Sequence, residues 1–362
     1  MHNVRLFKGL SGQGKKLLIV VKSNAYGHGM VDTARLALQG GADWLGVYSF
    51  EEGFQLREAG IQSPLLVMGF VPGRCLAEAM SCRLSLGVSS VEVLERIIGV
   101  AAQSGQTAAV HLKLETGLNR LGIHQRDLSR TEALLTGQER VMLEGLYTHY
   151  ANIEDTVRHD FARLQRMRFS RMCARFMGSE VLRHTACTAA ALLFPSTYFE
   201  MVRVGIGTYG MWPSRETLIT ALETKKELLD LRPVLTWKSC IAQVKEVKPG
   251  ETIGYGRSYR VTRPTRIAII PTGYADGYDR KLSNKGYVLI HGKEAPVVGR
   301  ICMNMFMVDV THIPRAAMED EVVLLGTQKK AEISADAIAE FTGTINYEVT
   351  TRINHALPRV VV

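Results

Sequence analysis

Eight short apolar runs, each followed by an amphipathic stretch, constrain this chain more than any other feature of its sequence. The runs span residues 17–22, 44–48, 64–68, 84–88, 108–115, 143–149, 181–185 and 201–206. Short runs of mainly apolar character suit strands buried on both faces, as the strands of a parallel sheet are. Between them, "VDTARLALQGG", "SSVEVLERIIGVAAQSG" and "TVRHDFARLQRMRFSRMCARF" set apolar residues three and four apart, the pattern of a helix with one buried stripe. Eight β-then-α units in succession predict an α/β fold, a parallel (β/α)8 barrel of the TIM type.

After residue 222 the texture changes. The charged segment "ALETKKELLDLRP" leads to Pro233, and beyond it "LTWKSCIAQVKEV", "TRIAIIPTG" and "GYVLIHG" are β-rich and punctuated by Gly, Pro and Asn. A chain of 362 residues has room for two cores. The expected division is a barrel over 1–225 and a mostly-β domain over 226–362, with the junction inside 222–233. No apolar run approaches the roughly 20 residues of a membrane-spanning helix, and "MHNVRLFKGL" lacks the apolar centre of a signal peptide. The cytoplasm is therefore the expected compartment, with no membrane partner.

The six cysteines fall without paired spacing, so neither a disulfide framework nor a metal site is expected. A net charge of +9 favours anionic partners. With no basic run interleaved with aromatics, small anions are expected rather than nucleic acid.

In a barrel of this type the active site lies at the C-terminal ends of the strands. Polar residues gather there: Lys22 closes the first run, Arg120 in "ETGLNRLG" follows the fifth, His149 in "THYAN" closes the sixth, Thr188 in "TACTAA" follows the seventh, and "VRVGIG" carries Arg203, Gly205 and Gly207 at the eighth. Each alone reads as readily as structure: a rim lysine with its head in water, a bonded core histidine, half of an ion pair. Five on one rim make a site. Partial desolvation lowers a lysine's pKa and makes its amine a nucleophile for an aldehyde. Glycines in the last barrel loop let backbone N–H groups approach a phosphate. A lysine with a phosphate cradle fits pyridoxal phosphate, and it also fits a phosphosugar aldolase.

The motif "VVKSNAYGHG" resembles the cofactor-lysine motif of the alanine racemase family, the fold-type III pyridoxal phosphate enzymes. The similarity continues in order through "TGLNRLG", "LYTHYAN", "VRVGIGTYG", "GYGRSY", "PTGYADGY", "GRICMNMFMVDVT" and "NYEV". It implies an enzyme that interconverts L- and D-alanine with pyridoxal 5'-phosphate, supplies D-alanine for peptidoglycan, and works as a head-to-tail homodimer. Lys22 would hold the cofactor aldehyde and serve as the base on one face of the substrate. Tyr255 of the partner subunit would be the base on the other. Arg203 would donate to the pyridine nitrogen, and His149 would link that arginine to the tyrosine.

Further roles follow from the same resemblance. Arg120 would contact the phenolic oxygen and the substrate carboxylate, with the backbone at Met303 meeting that carboxylate from the other subunit. Tyr26, Thr188, Gly205, Ile206 and Tyr347 would hold the phosphate, and Tyr274 and Arg280 would line the access corridor. Lys113 matches a lysine that some relatives carry carbamylated. Racemisation exchanges a proton between two faces, so it needs two bases. An arginine keeps its own proton, which leaves the ring a weaker electron sink and disfavours transamination.

Without the resemblance, "GYGRSY" is a turn and "ICMNMFMVDV" a buried strand whose methionines fill core, with Cys302 as packing or corridor lining. Several positions depart from the family pattern. In the family a strand and the start of a helix usually precede the segment that "MHNVRLF" resembles, so this stretch is expected to enter partway through the first helix. Asn304 stands where many relatives have aspartate, and His184 and Cys187 flank a loop that varies and bears on substrate preference. Two alternatives remain: a serine or broad-specificity racemase using the same machinery, and a non-catalytic pyridoxal phosphate carrier built on the barrel alone. The second domain argues against the carrier, and the placement of the tyrosines argues against related decarboxylases.

Overall fold

The computed structural model describes residues 1–176, 180–224 and 229–362. All eight apolar runs form strands: β1 (Lys16–Val20), β2 (Trp44–Val47), β3 (Leu65–Val67), β4 (Ser85–Val88), β5 (Ala108–Lys113), β6 (Val141–Tyr147), β7 (Leu182–His184) and β8 (Met201–Val204). They pair in parallel in the order β7-β6-β5-β4-β3-β2-β1-β8. Backbone bonds from Glu200 to Arg183 (3.1 Å) and from Arg203 to Ala186 (3.0 Å) tie β8 to β7 and bring the barrel close to closure.

Burial explains why the runs are mainly apolar. Leu17, Leu18, Ile19, Leu45, Leu65, Leu66, Val67, Val110 and Leu112 are all fully buried, so both faces of these strands require apolar side chains. The outer helices are marked by their caps. Ser49 and Glu52 form a reciprocal capping box at Phe50–Glu58, and Ser90 caps Val91–Ser104, which ends on left-handed Gly105. The first helix, His2–Ser11, buries Val4 and Phe7.

Close packing reaches the loop after β8. A Cβ at Gly207 would lie 2.5 Å from the Phe7 ring and 2.7 Å from Thr188 Cγ2, so only glycine lets this turn sit against the helix beginning at Thr188. The turn is thereby held in the place where a phosphate cradle is expected.

Contacts divide the chain into two units, the first being Met1–Ala25 with Met30–Arg232 and the second Tyr26–Gly29 with Pro233–Val362. The expected 225/226 junction lies outside the described residues. The second unit is mostly β. It holds a three-stranded antiparallel sheet of β10 (Gln243–Val247), β13 (Thr265–Ile270) and β16 (Phe306–Asp309), in the order β10-β13-β16. A five-stranded sheet runs β15 (Lys293–Pro296), β14 (Tyr287–Ile290), β17 (Glu321–Gln328), β18 (Ala331–Ile333), with β9 (Trp237–Cys240) also on β17, and β11 (Thr252–Ile253) pairs with β12 (Tyr259–Arg260).

Val247, Ile253, Val261, Ile267, Val298 and Met307 form an apolar cluster in this unit. Only the second half of "ICMNMFMVDV" is strand: Met307 is buried, while Met303 and Met305 are 56% and 48% exposed, so these two do not fill core. No described helix is long and apolar enough to cross a membrane.

Gly207→Ala is expected to destabilise the barrel by about 1–3 kcal/mol, the usual range for overpacking a filled core. The thermal unfolding midpoint of variant and wild type, compared under one set of conditions, checks it. An unchanged midpoint would show that the turn can move away from Phe7.

Candidate functional site at the C-terminal end of the barrel

Lys22 lies just past the end of β1, where the chain leaves the core between buried Val21 and Ala25. Ser23, Asn24, Ala25 and Tyr26 then all take positive φ, near 54°. This is one turn of left-handed helix without a glycine, a conformation that costs roughly 1–2 kcal/mol per residue. Several bonds hold it. Glu52 Oε1 accepts from the Ser23 amide at 2.6 Å, Asn24 Oδ1 accepts from the Met30 amide at 2.9 Å, and the Ala25 amide donates to Val21 O at 2.8 Å. The other oxygen of Glu52 closes the capping box and accepts from Tyr48 N at 2.8 Å. One carboxylate thus fixes both a helix cap and the turn behind the lysine.

Burial, followed by the positive charge of Arg120, lowers the Lys22 pKa, and Glu52 opposes the shift. The pKa of Lys113, on β5, is lowered to about 8 by burial and by Arg120, Arg203 and Lys22. Its Nζ lies 5.7 Å from the Tyr147 ring centroid. His149 is held well below the ordinary histidine value, first by burial and then by Arg203, Arg120, Lys113 and Lys22. The four charges that act on His149 are all cationic. Arg120 itself is exposed, on a loop shaped by Gly117 and Gly122.

Arg203, on β8, is 5% exposed and engages both of its terminal nitrogens. Nη1 donates to His184 Nδ1 at 2.8 Å and to His184 O at 2.7 Å. Nη2 donates to the carbonyls of Thr148 at 2.7 Å and Thr185 at 3.2 Å. Four of the five guanidinium N–H groups are used, and among the described residues the Nε–H has no acceptor. Arg203 therefore bonds to His184, whereas the resemblance pointed to His149, which it influences as a nearby charge. His184 is completely buried and stacks on Tyr147 with centroids 5.0 Å apart. It belongs to the arginine's setting.

The loop after β8 folds over Thr188. Gly205 N and Gly207 N donate to Thr188 Oγ1 at 3.1 and 3.4 Å, and Ile206 is buried between these glycines. In the second unit, Tyr26 and Tyr347 have ring centroids 6.0 Å apart, and a Cβ at Gly27 would lie 2.0 Å from Thr350 O, so the Tyr26 segment passes very close to the helix Asn346–Thr351.

Tyr255 is 71% exposed on a turn in which Gly254 and Gly256 take positive φ. It lines a groove with Cys302, Met305 and Met307. Tyr274, also exposed, donates its backbone N–H to Cys302 O at 3.1 Å, and Ala275 donates to Met303 O at 3.0 Å. Arg280 is exposed at the start of the turn Arg280–Leu282. The barrel thus gathers Lys22, Lys113, Arg120, His149, Thr188, Arg203, Gly205 and Ile206, while the second unit gathers Tyr255, Tyr274 and Met303 around the Cys302 loop.

Sequence reading missed Glu52, Tyr147, Glu144 and His111. Glu52 announces itself only as the fourth residue of the capping box beginning at Ser49. The other three act through partners far away in the chain.

Family models described as "Alanine racemase, N-terminal domain" and "Alanine racemase, C-terminal domain" match residues 1–213 and 234–361. The alanine racemase of Desulfovibrio desulfuricans is 40% identical over 364 residues, spanning 100% of this chain and 95% of that protein. Among solved structures, alanine racemase from the D-cycloserine producer Streptomyces lavendulae superposes with a TM-score of 0.90 at 36% identity, covering 99% of this chain and 93% of that one. The Bacillus anthracis alanine racemase, solved with bound L-Ala-P, gives a TM-score of 0.89 at 34% identity over 97% and 89% of the two chains.

Proposed function

This chain belongs to the alanine racemase family, and we propose that it interconverts L- and D-alanine with Lys22 and Tyr255 as its two bases. Enzymes of this family use pyridoxal phosphate. The residues present fit that group: a lysine whose pKa burial lowers, a buried arginine with one N–H to spare, and a glycine turn folded on Thr188 where a Cβ would clash. When bound, the cofactor carries the substrate's amino group and draws electrons from its α-carbon. The unused Nε–H of Arg203 is the observation that carries the site assignment.

Each residue then has a task. Lys22 moves the α-proton on one face and Tyr255 on the other. Arg203 gives the ring nitrogen a hydrogen bond and keeps its own proton. Thr188, Gly205 and Ile206, with Tyr26 and Tyr347, hold the phosphate. Arg120 and the backbone at Met303 take the substrate carboxylate, His149 links the arginine's surroundings to the phenol, and Tyr274 and Arg280 line the access corridor. The product would supply peptidoglycan from the cytoplasm. Matches to both domain models favour the racemase over a carrier made of the barrel alone.

The working unit in this reading is a head-to-tail homodimer in which each tyrosine serves the other subunit's lysine. Lys113 would be a carbamate. With a pKa of about 8, roughly a tenth of its amine is neutral at pH 7 and half at pH 8, and the neutral amine is the form that attacks carbon dioxide. Carbamylation releases a proton and turns a cation that repels Arg120 into an anion that attracts it.

In deuterium oxide, wild type should exchange the α-proton of both alanine enantiomers. Lys22→Ala should lose exchange from one and Tyr255→Phe from the other, each by about 10²–10⁴-fold. Loss of both enantiomers equally in Tyr255→Phe would remove the two-base assignment. Mixing the two inactive variants should restore activity through hybrid dimers carrying one intact site; no recovery, with mixed dimers present by mass, would place both bases in the same subunit. Carbon-13 NMR in labelled bicarbonate should show a carbamate resonance that Lys113→Ala lacks, and its absence from wild type would rule the modification out.

A further inference from the structure

We propose that Glu144 is a remote positioning residue for Arg203, acting through two neutral histidines whose tautomers it fixes. This rests on the role proposed above for Arg203 at the cofactor's ring nitrogen. The chain of contacts is continuous. Arg203 Nη1 meets His184 Nδ1 at 2.8 Å, His184 Nε2 meets His111 Nδ1 at 2.9 Å, and His111 Nε2 meets Glu144 Oε2 at 3.1 Å. Ser85 Oγ donates to the same Glu144 oxygen at 2.5 Å.

The direction of every bond follows from its two ends. A guanidinium can only donate, so His184 Nδ1 must accept and His184 must carry its proton on Nε2. That proton points at His111 Nδ1, which accepts, leaving the His111 proton on Nε2 to be given to the carboxylate. Both histidines are completely buried, and burial lowers both pKa values, which keeps the rings neutral. If the far acceptor is lost, only the arginine end still favours these tautomers, and the buried His111 Nε2–H is left without its acceptor. The His111 proton can then move to Nδ1, the His184 proton to its own Nδ1, and an N–H would face an N–H at Arg203. Nη1 would turn away, and the Nε–H would turn with it.

The fold makes specific provision for this chain. The β5–β6 pairing runs Val110 with Leu143 and then His111 with Gly145, so Glu144 is the extra residue of a β-bulge. The next position must be glycine, because a Cβ at Gly145 would lie 2.1 Å from His111 Nδ1. Trp44 packs edge-on against the His111 ring at 5.4 Å, and Tyr147 stacks on His184 at 5.0 Å. The relay starts at Glu144, whose side chain is 24% exposed, and ends at a buried arginine.

Glu144→Gln and Glu144→Met separate the possible roles, with holoenzyme kinetics and neutron diffraction of holoenzyme crystals as the two readouts. The Gln oxygen can still accept from His111, so that variant should keep wild-type hydrogen positions and a kcat within about threefold of wild type. Met cannot accept. It should lower kcat by about tenfold or more, the scale seen when an outer hydrogen-bond partner is removed, leave KM within about twofold, and place a proton on His184 Nδ1 in part of the molecules.

A Met variant with wild-type kcat and wild-type hydrogen positions overturns the proposal, as does a wild-type map with the His184 proton on Nδ1. Equal losses in Gln and Met would assign the effect to charge and overturn the tautomer argument. Should Met fail to fold, the wild-type map and the Gln variant still decide. If the protein does not racemise alanine but the tautomers shift as described, the functional reading falls and the positioning role stands.

Discussion

A cation buried at the C-terminal end of the barrel without a carboxylate in contact is the constraint on which this site depends. Arg203 is 5% exposed, and its four protein acceptors are three carbonyls and a neutral imidazole. Removing a charge from water is costly unless every donor is satisfied. Here the ends of β6 and β7 supply the four acceptors, and Tyr147 adds a ring face 5.5 Å from the guanidinium carbon. The Arg203 charge then reaches its surroundings, lowering the pKa values of His149, His184 and Lys113. With Lys22 and Arg120 nearby, the barrel mouth holds more positive than negative charge. A phosphate and a carboxylate are the ligands such a mouth favours, and the proposed cofactor and substrate bring one each.

Much of this was legible in the sequence, and the reason is local. Parallel strands buried on both faces are largely apolar, so the eight runs stand out from the amphipathic helices between them. The strands are shorter than most of the runs because the last residues of several runs are already site or loop: Lys22 follows β1 and His149 follows β6. A polar residue at the end of an apolar run was therefore a usable sign of function.

What the sequence concealed depends on pairing across the barrel. His111 and His184 are 73 residues apart, and His111 and Glu144 are 33 apart. Nothing around "VHLK" or "LEGLY" marks them as partners until the bulge at Glu144 sets the register. The left-handed turn was hidden for the opposite reason. "SNAY" has no glycine, so local preference argues against positive φ, and side-chain bonds such as those of Glu52 and Asn24 help overrule it. The strained turn follows Lys22 directly, which fixes where the lysine's backbone ends while the side chain is left free to act.

The two proposed bases differ most in their surroundings. Lys22 sits where burial and Arg120 already favour the neutral amine, so the barrel alone prepares it for proton transfer. Tyr255 is 71% exposed, on a turn with glycines on both sides. A phenol that takes a proton is helped by neighbouring positive charge, and the barrel mouth, with Arg120, Arg203 and the lysines, gathers such charge among the described residues. In the proposed dimer each subunit brings its tyrosine to the other's barrel mouth. Association would then complete the active site as well as bury the groove of Cys302, Met305 and Met307 that Tyr255 lines, so catalysis and dimerisation would depend on the same surface.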